Sequence, residues 1–164
     1  MAFSCDKCGA KSREVKVGGE TSEKAKRITL KVNHEDDLKR DLFKSETAII
    51  KVPEIELELT LGDIGGIYTT VEGLVEQVND FYGEINSNPK SQIHDHMKEN
   101  NPFVGDSTQS ELREKLDKFF EQLKNLQNLA HPWTLVLDDP MANCFIQNPF
   151  HPEADHKVVS ILRV

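Results

Sequence analysis

The segment 63–75 most constrains the fold, because the apolar residues change there from a two-residue repeat to a helical repeat. Before it, residues 54–59 alternate Glu with Ile or Leu, a pattern typical of a strand with one wet and one buried face. The glycine pair 65–66 supplies a turn, and Thr69 and Thr70 each offer a hydroxyl as a helix N-cap. The sequence therefore predicts a sheet that is interrupted at this point by a helical insertion.

Two amphipathic helices are predicted, and they form a hairpin over about 70–130. The first begins at Thr70 and ends near Ser87, because Pro89 follows, and the second begins at Thr108. The first carries an apolar face of Val71, Leu74, Val75, Val78, Phe81 or Tyr82, and Ile85. The second carries a stripe of Leu112, Leu116, Phe119, Phe120, Leu123 and Leu126. Packing of the two faces would bury these side chains.

Strand patterns surround this hairpin on both sides in the sequence. They are predicted at 13–17, 27–32, 47–52, 54–59, 133–137, 144–147 and 157–164. Residues 34–39 are acidic and are predicted to form a loop with His34 exposed. Cys144, in the apolar pattern 144–147, is expected to be a buried thiol of the core.

Asp138 and Asp139 precede Pro140, and a pair of carboxylates could share a proton in an enzyme. Adjacent residues on a strand point to opposite faces, so the two groups need not meet. A turn, in which an Asp side chain binds its own backbone and Pro fixes φ, is the favoured interpretation.

Cys5 and Cys8 form a C-x-x-C pair followed by Gly9, which is the spacing of a zinc knuckle. A structural zinc takes four ligands, and this chain offers one such pair. We expect the other ligands upstream of Met1, so that residues 1–20 are the C-terminal half of a four-cysteine zinc finger and 21–164 a separate domain. A redox dithiol is the alternative, although no βαβ pattern surrounds the pair.

Charge and hydropathy limit the class of protein. The net charge is -8, yet residues 1–31 carry +4, so the remainder is strongly acidic. An acidic body argues against general affinity for nucleic acid. No apolar run approaches the roughly 20 residues that span a bilayer, no signal-peptide core begins the chain, and the three cysteines fit a reducing compartment. We expect a protein of cytoplasm and nucleus that does not bind membranes.

Several motifs together resemble one family, the ZPR-type zinc-finger proteins. They cover nearly the whole chain and comprise Cys5-Asp-Lys-Cys8-Gly9, Arg27-Ile-Thr-Leu30, Arg40-Asp-Leu-Phe-Lys-Ser-Glu-Thr47, Pro53-Glu-Ile-Glu-Leu-Glu-Leu59, Gly65-Gly66 with Thr69-Thr-Val-Glu-Gly-Leu74, Asn101-Pro-Phe103 with Gly105-Asp-Ser107, and Leu137-Asp-Asp-Pro140 with Asn143. The forms around 40–47 and 65–70 look like the C-terminal of the two tandem modules in eukaryotic members.

The resemblance implies a mainly β fold with some α: a double-stranded β-helix (jelly-roll-like) domain with an inserted helical hairpin, preceded by half of a zinc ribbon. It implies zinc in the full-length protein, held in part by Cys5 and Cys8, and an interaction protein rather than an enzyme. Similar proteins bind translation elongation factor 1-alpha in its GDP form and assist its folding. They are also linked to receptor tyrosine-kinase tails and to nuclear traffic.

Two departures from the family pattern affect these expectations. The upstream C-x-x-C is absent, which leaves zinc binding by this chain alone incomplete. Where the family has Gly-Asn-Ser-Tyr, this chain has Ala142-Asn-Cys-Phe145. Loss of that glycine matters if the turn demands a positive φ, although Asn143 could take that role.

A docking module is the leading hypothesis, with Tyr82, Phe103 and Phe119 as partner contacts if they are exposed. A cupin-like metal-dependent enzyme is the alternative, and it would require histidines on facing strands. The six histidines fall mainly in predicted loops, and His94 and His96 lack a strand pattern that would make them chelate. A nucleic-acid-binding ribbon is a third, weaker hypothesis.

Overall fold

The computed structural model describes residues 2–4, 11–13, 24–60, 63–87 and 109–163. Its strands are β1 (Ala2–Ser4), β2 (Lys11–Arg13), β3 (Ala25–Val32), β4 (Asp41–Lys44), β5 (Ile49–Val52), β6 (Leu57–Leu59), β7 (Ile67–Thr70), β8 (Trp133–Asp139), β9 (Phe145–Ile146) and β10 (Val158–Arg163). Its α-helices are α1 (Glu35–Leu38), α2 (Val71–Ser87) and α3 (Gln109–Gln127). These elements confirm the predicted mainly β fold with an inserted helical hairpin.

The larger sheet has five antiparallel strands in the order β10-β3-β8-β5-β6. On β5, β6 and β8, buried side chains alternate with more exposed ones, as a sheet with one core face requires. On β3 the predicted inward residues Ile28, Leu30 and Val32 are all buried. Strand β10 pairs with residues 25–30 of β3, so that Ala25 lies directly opposite Arg163.

A smaller sheet of three antiparallel strands has the order β7-β4-β9. Leu42 of β4 and Ile146 of β9 lie opposite each other and are buried. They belong to the same hydrophobic core as the inward residues of the larger sheet. The two sheets therefore share one core, which leaves each sheet with an outer face.

The helical hairpin packs on the core side of the larger sheet. Side chains of α2, α3, β5, β6 and β8 meet around one small apolar gap, and these are Ile50, Val52, Leu57, Leu74, Val75, Val78, Leu123, Leu126, Trp133 and Leu135. The Trp133 indole Nε1 donates a hydrogen bond to the Leu126 carbonyl oxygen at 3.1 Å. This bond ties the end of α3 to the start of β8.

Helix α2 begins as the residue pattern predicts, with Thr70 rather than Thr69 as its cap. The Thr70 Oγ1 accepts a hydrogen bond from the Gly73 backbone N–H at 3.1 Å, which satisfies one free donor of the first turn. A Cβ at Gly73 would lie 2.3 Å from the Thr69 Oγ1, so glycine allows the helix to start close to β7.

Two local predictions were wrong. The acidic segment 34–39 contains the short helix α1, because two hydrogen bonds cap its first turn. The ring Nδ1 of the exposed His34 accepts a hydrogen bond from the Asp36 backbone N–H, and the Asp37 carboxylate accepts one from the His34 backbone N–H. The alternating segment 54–59 is a strand only at its end. Pro53 begins a 3-10 turn that runs to Ile55, and Glu56 adopts a left-handed φ of 53° before β6 starts.

Within the described ranges, none of the helices is both long and apolar enough to cross a membrane.

Candidate functional site

The predicted zinc ligands Cys5 and Cys8 lie outside the described residues. Strands β1 and β2, which precede and follow them in the sequence, pair antiparallel with Ser4 opposite Lys11. Two thiolates three residues apart in the sequence fit half of a tetrahedral zinc site. Elsewhere, in the part of the chain that the structure describes, no group of three or more His, Cys, Asp or Glu could hold a metal ion.

The described histidines do not gather into a site. His34, His131, His151 and His156 are all exposed, and none of them lies on a strand. His94 and His96 fall outside the described residues.

Asp139 organises the turn that follows β8, as the sequence predicts. Its carboxylate accepts hydrogen bonds from the backbone N–H groups of Met141 (3.0 Å), Asn143 (2.7 Å) and Cys144 (3.0 Å). It also accepts hydrogen bonds from the hydroxyls of Ser45 (2.8 Å) and Thr47 (2.6 Å) in the β4–β5 connection. Burial raises the pKa of this carboxyl, but these hydrogen bonds outweigh it and the pKa falls below its ordinary value.

Asp138 points to the opposite face of β8 and forms ion pairs there. Arg27 on β3 lies directly across from it and donates to its Oδ2 at 2.6 Å, and Arg163 on β10 donates to its Oδ1. Burial raises the pKa of Asp138, whereas hydrogen bonds from the two guanidinium groups lower it to a net value below the ordinary one. The two carboxylates therefore bridge different strands and do not form a catalytic pair.

Ala142 adopts the left-handed conformation in this turn, with φ of 57°. Asn143, which could have taken that role, has no positive φ. The strained position is the one at which the family pattern has glycine. Cys144, two residues later, is buried as predicted, and burial raises the pKa of its thiol to about 12.

Lys44 is a buried cation that sequence reasoning missed. It lies on the inner face of β4, fully buried, and its Nζ donates to the carbonyl oxygens of Ile64 (2.6 Å) and Ser45 (3.0 Å). Burial lowers the pKa of the ammonium, although Cys144, Asp139 and other nearby acidic groups oppose this shift. Strand parity with Leu42 was the signal that could have found it.

A second buried polar cluster joins α1 to the segment before β10. Asp37 accepts hydrogen bonds from Arg40 at 3.0 Å and from the Lys157 ammonium at 2.7 Å. Arg40 also pairs with Asp155. Burial raises the pKa of Asp37, but hydrogen bonds and nearby positive charges, of which the hydrogen bond from Lys157 is the largest contribution, lower this pKa below its ordinary value. Asp155 and Lys157 lie more than 100 residues after Arg40 and Asp37 in the chain, so no local pattern indicates these two ion pairs.

The predicted contact residues Tyr82 and Phe119 are buried in the seam of the hairpin. Their ring centroids lie 4.7 Å apart in an edge-to-face arrangement, and burial raises the pKa of the Tyr82 phenol to about 12. In this conformation both stabilise the hairpin. Phe103 lies outside the described residues and stays a prediction.

The outer face of the smaller sheet presents aromatic side chains instead. Phe43 of β4 lies directly opposite Tyr68 of β7 and directly opposite Phe145 of β9, so the three occupy one row on the same face. Tyr68 is 58% exposed and Phe145 is 48% exposed. We call Phe43, Tyr68 and Phe145 the aromatic stripe.

The arrangement is suited to docking. The buried charged groups described above bind partners within the fold, where they hold turns and connections in place. Exposed aromatic side chains, in contrast, are enriched where one protein contacts another.

Comparison with known proteins identifies the family. A model of the ZPR1 jelly-roll domain matches residues 36–161, and a model of the ZPR1 zinc-finger domain matches residues 1–23. The chain belongs to the ZPR1 family. The jelly-roll class predicted from the sequence is thereby confirmed, as is the resemblance that implied it.

Relatives of the ZPR1 family match almost the whole chain. It is 40% identical over 156 residues to the zinc finger chaperone zpr1 of Schizosaccharomyces pombe, covering 94% of this chain and 31% of that protein. It is 34% identical to the zinc finger protein ZPR1 of Mus musculus, with 94% and 30% covered. An uncharacterised ZPR1-like protein of Methanocaldococcus jannaschii is 25% identical, with 87% and 62% covered.

The chain therefore spans about a third of the length of these eukaryotic relatives. Their names describe zinc finger proteins and a chaperone, not enzymes. ZPR1 membership supports a role as a zinc-finger protein-interaction module, and it supports zinc as the metal of the region that holds Cys5 and Cys8.

Proposed function

We propose that this chain is a docking module that binds translation elongation factor 1-alpha, prefers its GDP-bound form and assists its folding. It acts in the cytoplasm and nucleus, and receptor tyrosine-kinase tails are further partners. Zinc, held in part by Cys5 and Cys8, orders the N-terminal region when bound.

One observation carries this proposal: the relative that is named a zinc finger chaperone is 40% identical over 94% of the chain. The geometry supports it, since the buried charges have internal partners and the smaller sheet exposes aromatic residues. A module that binds a folding intermediate needs a stable body and an exposed apolar surface, and both are present.

A binding measurement tests the proposal. The purified chain is immobilised, and elongation factor 1-alpha is passed over it loaded with GDP or with a non-hydrolysable GTP analogue. We expect retention of the GDP form at micromolar concentration and weaker retention of the other form. Absence of retention of either form would contradict the proposal.

A folding measurement tests the chaperone role. Chemically denatured elongation factor 1-alpha is diluted with or without the chain, and the recovered capacity to bind GDP is measured. We expect a higher yield with the chain than with an equal amount of serum albumin. Equal yields would leave binding as the only supported activity and overturn the chaperone role.

A further inference from the structure

The aromatic stripe is exposed on a sheet whose other face already supplies the core. Leu42 and Ile146 alternate with Phe43 and Phe145 along β4 and β9 and are buried on the inner side. Because the inner residues fill the core, the outer rings are not needed to bury apolar surface there. Neighbouring exposed aromatic side chains form a contiguous apolar patch, which is uncommon on the surface of a small domain and marks an interaction site.

The segment of the chain that carries Phe43 and Tyr68 is rich in acidic residues. Residues 35–84, which contain β4 and β7, hold thirteen acidic and four basic residues. Two of those four, Arg40 and Lys44, are buried. Asp41 lies two residues before Phe43 and therefore on the same face of β4.

Asp41 also interacts with the stripe directly. Its carboxylate raises the pKa of the Tyr68 phenol, chiefly as a nearby negative charge. A cation that approaches Tyr68 would therefore meet an aromatic face and a carboxylate together.

We propose that the aromatic stripe, with Asp41 at its edge, docks a basic segment of the protein partner. The chemistry it fits is an Arg or Lys side chain flanked by apolar residues. The guanidinium or ammonium stacks on the rings and pairs with the carboxylate, while the apolar residues cover the remaining ring surface. This inference rests on the proposed function, because it names the surface and the partner chemistry of the same docking module.

Charge favours this occupant over the others. A second copy of the chain would bring the same Asp41 carboxylate and the same net charge of -8, and like charges would repel. Anionic lipid and nucleic acid would be repelled for the same reason. A basic protein segment is the occupant that gains from both the rings and the charge.

A matched pair of double variants tests the surface with GDP-loaded elongation factor 1-alpha as the probe. The stripe variant carries Tyr68→Ser and Phe145→Ser. The control variant carries Val159→Ser and Ile161→Ser, which remove two apolar side chains of similar exposure from β10. We expect the stripe variant to bind at least tenfold more weakly than the unmodified chain, and the control to bind equally well. Equal thermal midpoints establish that all three are folded.

The outcomes separate this inference from the proposed function. If the unmodified chain binds and the stripe variant binds equally well, the docking surface is elsewhere and the inference is overturned. If the two variants weaken binding equally, the effect is not specific to the stripe, which also overturns it. If the unmodified chain does not bind the factor, the proposed function fails and a second probe decides the inference.

The second probe is a pair of synthetic peptides, acetyl-Arg-Leu-Arg-Leu-Arg-amide and the same peptide with Glu in place of Arg. Each is titrated into the isotopically labelled chain, and backbone amide shifts are followed by NMR. We expect the basic peptide to shift the amides of Phe43, Tyr68 and Phe145, with the effect lost in Asp41→Lys and reduced at high salt. No shift there, or equal shifts with the acidic peptide, would overturn the inference. Dimerisation of the chain through the stripe would overturn it as well.

Discussion

Ala142 holds the left-handed φ of 57° that glycine adopts without a steric cost. For an L-residue with a Cβ this conformation costs about 1–2 kcal/mol. We therefore expect Ala142→Gly to raise the free energy of unfolding by up to about 1 kcal/mol, after the greater chain entropy of glycine in the unfolded state is subtracted. Urea denaturation of the two proteins measures the difference.

Ala130 provides the control for this substitution. It is an exposed alanine in the turn after α3, and its φ is not positive. Ala130→Gly is expected to destabilise the chain by a few tenths of a kcal/mol up to about 1 kcal/mol, because only the unfolded-state entropy changes. If both substitutions destabilise equally, strain at Ala142 is not the determinant of this turn.

The free energy of unfolding depends on pH through the carboxyl group of Asp139. Since its pKa is lower in the folded chain than in the unfolded chain, its contribution is complete above the unfolded pKa of about 4 and is lost as the pH falls through the folded pKa. In Asp139→Asn the amide NH₂ faces at least one backbone N–H in either orientation. We expect a loss of about 2–4 kcal/mol at pH 7 that becomes smaller below about pH 4. Urea unfolding at a series of pH values measures it.

Asp138→Asn is the matched control, because that carboxylate is partly exposed and its partners Arg27 and Arg163 remain solvated. A loss of about 1 kcal/mol or less is expected for it at pH 7. A larger loss for Asp138→Asn than for Asp139→Asn would contradict the structural role assigned to Asp139.

The helical hairpin depends on the ring contact between α2 and α3. Removing the buried Phe119 side chain leaves a cavity beside Tyr82, so we expect Phe119→Ala to cost about 3–5 kcal/mol. Phe120→Ala, at a neighbouring and only partly buried ring, is expected to cost about 1–2 kcal/mol. The fluorescence of Trp133, the single tryptophan, reports unfolding because its indole bonds to the last turns of α3. Equal costs for the two substitutions would mean that the seam lies elsewhere on the helix.

Periodicity predicted the long elements well, because each repeats its pattern over several turns or pleats. The faces of α2 and β3 agree with the pattern, and so does the burial of Leu57 and Leu59. Short elements were harder. Segment 34–39 contains a short helix because His34 and Asp37 cap its first turn, and Asp37 is also held by the distant Lys157, a contact that local composition does not show.

The candidate surface required strand register, which the sequence does not display. Phe43, Tyr68 and Phe145 are far apart in the chain, and only the pairing of β4 with both β7 and β9 aligns them. The contact prediction for Tyr82 and Phe119 instead followed aromatic content alone. Aromatic residues on a helical stripe are more often core than contact, and burial of these two follows that rule.

In the molecule as a whole, every residue of the described core lies within 28–158, and Cys5 and Cys8 precede this range in the sequence. We therefore expect removal of zinc by a strong chelator to leave the thermal midpoint and the Trp133 emission unchanged. Binding of elongation factor 1-alpha would weaken if the zinc region takes part in docking. Differential scanning calorimetry with and without chelator measures the first effect.

Cys5→Ser combined with Cys8→Ser is the control that removes the same ligands without a chelator. It should match the chelated protein in both measurements. Loss of the unfolding transition on chelation would contradict this expectation and show that the metal also stabilises the two larger β-sheets within residues 25–163.

The pairing of Ala25 with Arg163 brings the start and the end of the segment 25–163 together at one edge of the larger sheet. Because these two ends are close together, the segment could be inserted into a loop of another protein without separating the two sides of that loop. Joining these ends with a short linker and opening the chain in a surface loop should yield a circular permutant with the same architecture.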